Sequence, residues 1–262
     1  MKKLLREIVK VPIDKKLIVF DLDGTLTESK ANMDSEMALL LRKLLEKKRV
    51  AIIGGGRYLQ FQRQFLGKLH APQVLLKNLF LFPTTSTAFY RYQKNRWRRL
   101  YSHDLSVSDR RRIFAMFEKT FAELKYFHPK KVYGKLIEDR GTQVTFSFLG
   151  QKAPVPLKDK WRKEHADLKL RIANVLQKHL PDLEVRAAGY TSIDVTRKGI
   201  DKEYGMKQIK KYLGISFDDM LFVGDALFPG GNDFAALRTG VLCFEVKEVS
   251  DTKKLVRHIL KN

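Results

Sequence analysis

LIVFDLDGTLTES, residues 17–29, runs four apolar residues into two aspartates spaced i and i+2, followed by Gly24 and Thr25. A short β-branched run ended by turn residues reads as a buried strand. In extended backbone, side chains at i and i+2 face the same side, which places Asp21 and Asp23 together at the strand's C-terminal end. Ligands of open α/β sheets bind at that end. Two neighbouring carboxylates repel, so they need a cation or a shared proton, and a hard divalent ion such as Mg2+ suits oxygen ligands. With such an ion bound, one carboxylate can attack phosphorus and the other can move protons. The stretch also opens like a calcium loop. That reading fails, because Leu26 and Asn32 stand where the loop needs Gly and Glu.

Working outward, residues 34–49 (DSEMALLLRKLLEKKR) read as a helix that Asp34 or Ser35 can cap. VAIIGGG, residues 50–56, reads as a second buried strand, and residues 57–70 as a second helix. Strand-helix alternation predicts a parallel sheet with right-handed crossovers. Residues 87–102 read as a hairpin of two aromatic-rich strands around Gln93-Lys94-Asn95. From about Leu105 the pattern changes to long helices over 106–127 and through 165–180, with strands at 141–148, 183–188 and 191–196. Near Lys198 the first rhythm returns: helix 202–214, strand 220–225, helix 233–240, strand 241–246 and a last helix. The fold class expected is α/β: a discontinuous, Rossmann-like parallel-sheet core over 1–104 and 197–262, with an inserted α+β cap over 105–196.

Three further features carry chemistry. The turn Gly54-Gly55-Gly56-Arg57 lets backbone N–H groups approach an anion, so Gly55, Gly56 and Arg57 are candidates for phosphate contact, although tight turns after strands use glycine anyway. It lacks the Gly-Lys-Ser/Thr of a P-loop. In FVGDALFPGGND, residues 222–233, Asp225 ends a buried strand as Asp21 does, so both reach the same sheet edge and Asp225 joins the candidate metal ligands. Asn232 and Asp233 are expected to order the loop or back the ligands, with Asn232 a candidate for phosphate contact. Lys202 gains meaning only if the fold sets it opposite the aspartates.

The composition is that of an ordinary globular protein, with 44% hydrophobic and 31% charged residues. A single cysteine, Cys243, excludes an internal disulfide framework and fits a reducing compartment. No apolar run approaches a membrane span, and the basic N-terminus lacks a signal peptide's apolar stretch, so a cytoplasmic location is expected. The charge is unusual: 51 Lys+Arg against 29 Asp+Glu, a net +22. Such an excess draws anions, from phosphorylated metabolites to nucleic acid. RYQKNRWRR and DRRRI mix cations with aromatics but show no established nucleic-acid-binding signature, so nucleic acid is the runner-up partner.

Together, D-x-D-G-T-L-T, the glycine-rich second strand end, the later lysine and G-D…G-G-N-D resemble the haloacid dehalogenase-like superfamily. Residues 50–67, 192–205 and 222–234 resemble, more narrowly, the eukaryotic-type α-phosphomannomutase family. The resemblance implies a Mg2+-dependent phosphotransferase acting on a small-molecule hexose phosphate, with a hexose 1,6-bisphosphate as activator. It makes Asp21 the nucleophile, Asp23 the general acid/base, Asp225 a metal ligand beside Asp21 and Asp23, and Lys202 the cation that steadies the phosphate. Ser192 and Asp194 match positions that touch the sugar phosphate, and Lys30 stands where that family places an arginine near substrate. In the cap, Arg140 matches one phosphate-holding arginine, with a surface ion pair to Glu138 or Asp139 as the plain alternative. Another falls on Gln151, which cannot supply a bidentate, permanent charge; Lys131, Lys135 and Lys152 are the expected substitutes. A mutase is the first reading and a sugar-phosphate phosphatase of the same superfamily the second. A basic binding protein with a vestigial site is the third, and a homodimer is left open.

Overall fold

The computed structural model describes residues 3–28 and 31–261. Its strands are β1 (Leu4–Leu5), β2 (Leu17–Asp21), β3 (Arg49–Ile53), β4 (Leu79–Phe82), β5 (Ala88–Gln93), β6 (Arg96–Ser102), β7 (Ile137–Asp139), β8 (Val144–Ser147), β9 (Leu183–Ala188), β10 (Ser192–Arg197), β11 (Met220–Gly224) and β12 (Leu242–Glu245). The chain divides into two compact units, Met1–Ser102 with Ile200–Asn262, and His103–Gly199.

The first unit is an eight-stranded sheet in the order β1-β12-β11-β2-β3-β4-β5-β6. It is parallel from β1 to β4, and the β5–β6 hairpin extends it antiparallel. Parallel strands are covered on both faces, so they read as continuous apolar runs rather than alternating ones. β2 is buried at every position. Ile18, Phe20, Val50 and Ile52 pack on one face with Met37, Leu41 and Leu44 of helix Ser35–Lys47 and Leu255 and Ile259 of helix Val249–Leu260. Leu17, Val19, Ala51 and Ile53 pack on the other with Met206 and Ile209 of helix Lys202–Leu213. Asp34 caps the first helix, its carboxylate accepting from Met37 N at 2.8 Å.

The structure corrects the sequence reading in several places. β2 stops at Asp21, so Asp23 falls in the following turn, bridged to Thr27, and the period-two argument does not reach it. The helix expected over 57–70 is α-helical at Tyr58–Phe61 and Gly67–Leu69 but widens to a π-helix over Gln62–Leu66. Phe234–Thr239 winds as a 3-10 helix, a tighter form used in short connections. The hairpin turns on Lys94 and Asn95, both left-handed at φ 50° and 59°, the twist that two-residue hairpin loops favour.

The second unit is an antiparallel sheet in the order β7-β8-β10-β9. Strand alternation sends Val144, Phe146, Ile193 and Val195 to one face. There they bury against Ile113 and Phe117 of helix Val107–Glu123 and Ile172 and Leu176 of helix Val155–His179. Thr145, Ser147, Ser192 and Asp194 therefore share the opposite face, with Ser192 in register with Ser147 and Asp194 with Thr145. No helix among the described residues is long and apolar enough to cross a membrane.

Candidate active site

β2 and β11 are parallel neighbours, so their C-terminal ends deliver Asp21 and Asp225 to one edge of the sheet. Lys202 opens its helix immediately after Asp201, whose carboxylate caps the helix by accepting from Tyr204 N at 2.9 Å. A lysine at a helix N-terminus sits against an unfavourable dipole and needs nearby anions. Here it has them. The buried Lys202 ammonium donates to Asp21 Oδ1, lies 3.0 Å from Asp233 Oδ1, and donates to the carbonyl of Ile53 at 3.3 Å. Asp233 is fully buried, and its Oδ2 accepts from Ala226 N at 3.2 Å.

Asp21, Asp225 and Asp233 each offer an oxygen within 4.8 Å of the others. The acids crowd the backbone so closely that a side chain on Gly24, itself at φ +88°, would run into Asp225, and one on Gly224 into Asp233. Burial raises the Asp21 pKa well above the usual carboxylate range, with Lys202 opposing and Asp233 adding to it. Burial, then the neighbouring Asp233, pushes Asp225 up to about 6. Burial disfavours the Lys202 ammonium, but Asp21 and Asp233 outweigh it and hold its pKa above the ordinary lysine value. Three carboxylates thus face one cation. The all-oxygen set and its surplus negative charge fit a hard divalent ion.

The other residues expected at this end are placed as follows. Asp23 is half-buried and accepts from Gln60 Nε2 at 3.3 Å; its side chain lies outside the carboxylate cluster, where Asp233 stands instead. Gly55 is exposed and Gly56 buried against Gln60. The glycine turn is tied down by Thr84 N donating to Gly56 O and Thr85 N to Gly54 O, both at 2.9 Å. Arg57 precedes the helical turn Tyr58–Phe61. Asn232 is exposed beside the buried Asp233. Lys30 lies outside the described residues.

On the polar face of the second unit's sheet, Asp194 Oδ1 accepts from Thr145 Oγ1 at 2.7 Å, and Thr145 in turn accepts from Gln143 Nε2 at 2.9 Å. Ser192 is buried beside them. Arg140 pairs through Nε with Glu138 at 2.9 Å and donates through Nη2 to Gln151 Oε1 at 3.1 Å, while Asp139 pairs with Arg110. The Arg140 side chain is only 13% exposed, so its ion pair is not a surface one. Lys131, Lys135 and Lys152 are exposed, whereas Lys158 is buried and donates to Gln151 O at 3.2 Å. Lys158 escaped the sequence reading, and Asp233 was expected only to order the loop or back the ligands. Asp233 looks like an ordinary helix cap, and Lys158 is one lysine in a charged helix. Only burial singles them out.

The sheet order and its acidic edge define the class: the first unit has a haloacid dehalogenase-like fold. Solved structures agree. An IMP-nucleotidase from Plasmodium falciparum matches with TM-score 0.68 at 18% identity, covering 97% of this chain and 70% of its own. A haloacid dehalogenase-like hydrolase from Bacteroides thetaiotaomicron matches with TM-score 0.63 at 16% identity, covering 92% of each chain. The model of the eukaryotic phosphomannomutase family matches residues 37–262. The chain belongs to that family. A phosphomannomutase of Saccharomyces cerevisiae is 26% identical over 93% of this chain and 93% of its own. Phosphomannomutase 1 of Homo sapiens is 27% identical over 84% and 82%, and the phosphomannomutase of Encephalitozoon cuniculi 29% identical over 84% of each.

Proposed function

We propose that this enzyme is a Mg2+-dependent phosphotransferase that interconverts mannose 6-phosphate and mannose 1-phosphate. The observation that carries the reading is the buried Lys202 bridging Asp21 and Asp233 at the strand ends, with Asp225 beside them. Asp21, Asp225 and Asp233 would hold Mg2+, which when bound offsets negative charge on the transferring phosphoryl group. Asp21 attacks phosphorus, so a bond forms to its carboxylate oxygen as the bond to the sugar oxygen breaks. Asp23 protonates the leaving sugar oxygen and later takes the proton back from the incoming one. Lys202 favours the ionised form of Asp21 against burial and orients it, and its charge offsets that on the phosphoryl group. Gly55, Gly56, Arg57 and Asn232 are assigned to phosphate at this end, and Arg140, Ser192 and Asp194 to the sugar phosphate.

One observation favours a second reading, hydrolysis of the same substrates. A mutase must keep hold of a bisphosphorylated sugar while it turns round, and must keep water from the phosphorylated Asp21. Gln151 stands where the resemblance places an arginine, and Arg140 is already shared between Glu138 and Gln151. Phosphorus NMR on mannose 1-phosphate, with Mg2+ and a trace of hexose 1,6-bisphosphate, separates the two. Mannose 6-phosphate growing without free phosphate supports the mutase; free phosphate alone replaces it with the hydrolase. No turnover by wild type, indistinguishable from an Asp21→Asn control, sinks both.

A further inference from the structure

Between Glu46 and Asp104 the chain carries no Asp or Glu, yet it holds twelve lysines and arginines. In the fold this segment supplies β3, β4, β5 and β6, consecutive strands on one side of the first unit's sheet. β3 and β4 run parallel to β2, so their N-terminal ends lie at the edge opposite Asp21. β5 runs antiparallel to β4, which brings the Lys94-Asn95 turn to that same far edge. Arg49, Lys77, Lys94 and Arg96 are all exposed along it. From β3 to β6 the edge spans three inter-strand spacings, about 14 Å.

Deeper in the hairpin, the register sets Arg91 directly opposite Arg98, a like-charge pair that weakens the hairpin unless an anion lies between them. The Arg91 guanidinium rests 5.4 Å from the centre of the Phe80 ring, and Arg98 Nε is buried without a hydrogen-bond partner. Among the described residues, none of Arg91, Lys94, Arg96, Arg98 and Arg99 is ion-paired with a carboxylate. Arg99 lies opposite Tyr90, whose ring stacks on Tyr58 at 3.8 Å, and Trp97 packs edge-on against Tyr92.

We infer that this far edge and hairpin form a docking surface for the phosphate backbone of single-stranded nucleic acid, remote from the Asp21 cluster. The inference stands apart from the phosphomannomutase reading. Four of the five hairpin cations are arginines, whose planar fork grips phosphate oxygens bidentately. A membrane surface would instead call for exposed aromatic anchors, whereas Tyr92 is buried and Tyr90 and Trp97 are half-buried. Protection of the sheet edge against self-pairing accounts for cations on β6 alone. It does not account for Arg91 on the interior strand β5, nor for Arg49 and Lys77 at the starts of β3 and β4.

The test is fluorescence anisotropy of a labelled, mixed-sequence single-stranded RNA of about 16 nucleotides, titrated with the full chain over a salt series. Wild type should bind with affinity that falls steeply with salt. Arg96→Glu with Arg98→Glu should weaken binding about tenfold or more at about 100 mM salt, and shrink the log–log salt slope by about 1.4. The charge-matched variant Lys119→Glu with Lys178→Glu, at exposed sites of the second unit, should change affinity by less than about threefold. Cooperative thermal unfolding checks the fold; if the glutamate pair fails it, Arg96→Gln with Arg98→Gln takes its place, with a slope change of about the same 1.4, since the same two phosphate contacts are lost. Equal losses in the two charge-matched variants would reduce the effect to net charge and overturn the assignment. So would absence of binding by wild type at about 50 mM salt. Binding to phosphatidylserine vesicles but not to the RNA would replace nucleic acid with a membrane.

Discussion

At the strand ends of the first unit, Asp21, Asp225 and Asp233 converge on one lysine in a buried, charge-unbalanced cluster. On the polar face of the second unit's sheet, Arg140, Glu138, Gln151, Thr145 and Asp194 answer one another donor for acceptor, and Arg140 is offset by Glu138. The first arrangement calls for an added cation or for protons, since buried carboxylates in excess repel. The second is satisfied as it stands, so any anion it binds must compete with bonds already made. Under the proposed function, the chemistry belongs to the first cluster and the choice between transfer and hydrolysis to the second.

The largest test of this contrast is Asp21→Asn. Loss of the proposed nucleophile should lower kcat by at least about a thousandfold, while removing a buried charge should leave thermal stability unchanged or higher. Turnover above a hundredth of wild type in a coupled or NMR assay breaks the assignment. Lys202→Met should act on both properties. It strands the acids without their cation, and removing one partner of a buried pair costs about 3–5 kcal/mol. Urea unfolding with and without Mg2+ measures this, and Mg2+ should recover part of the loss. An unchanged unfolding midpoint would mean the acids are already neutral.

The pH dependence follows from Asp225, raised to about 6 in the fold from an ordinary value of 3.8. A folded state that holds a proton more tightly than the unfolded one gains stability as pH falls through 6 toward 4. The cost is therefore present above pH 6, where the carboxylate is ionised. Asp225→Asn should raise the metal-free Tm near pH 7.5, by a few degrees if the relief is about 1 kcal/mol, and by roughly half as much near pH 5. Mg2+ should stabilise wild type more at the higher pH. Equal shifts at both pH values would contradict the charge argument. The smallest effect is expected from Gln151→Arg. A second guanidinium should shift the partition of phosphate away from water and toward sugar by about tenfold, roughly 1.4 kcal/mol, with little change in metal-dependent stability. An unchanged ratio of free phosphate to mannose 6-phosphate would remove Gln151 from the account.

Much of the first unit was legible because its signals are local. β2 and β11 read as buried strands from their unbroken apolar runs, and Asp21 and Asp225 stand at or just past the end of each. Asp34 before an amphipathic run, and two polar residues between aromatic strands, mark a helix start and a hairpin for equally local reasons. Asp23 was misplaced because periodicity applies only while the backbone stays extended, and β2 ends two residues earlier. Asp233 was undervalued because an acid after Pro-Gly-Gly looks like a cap until the fold buries it 3.0 Å from a lysine. The second unit was harder to read. Its polar face is assembled from four strands, so which donors meet depends on register rather than on spacing in the chain.

By itself the sequence determined the elements of the parallel sheet, the aspartates at its edge and a strong positive charge, because each follows from short-range pattern or simple counting. Tertiary structure alone decided that Lys202, 181 positions from Asp21, would be the cation that meets it. It also chose Asp233 over Asp23 for the acidic cluster, bound Arg140 to Gln151, and gathered a carboxylate-free segment along the opposite edge. Charges separated along the chain interact through distance and burial, and only packing sets either.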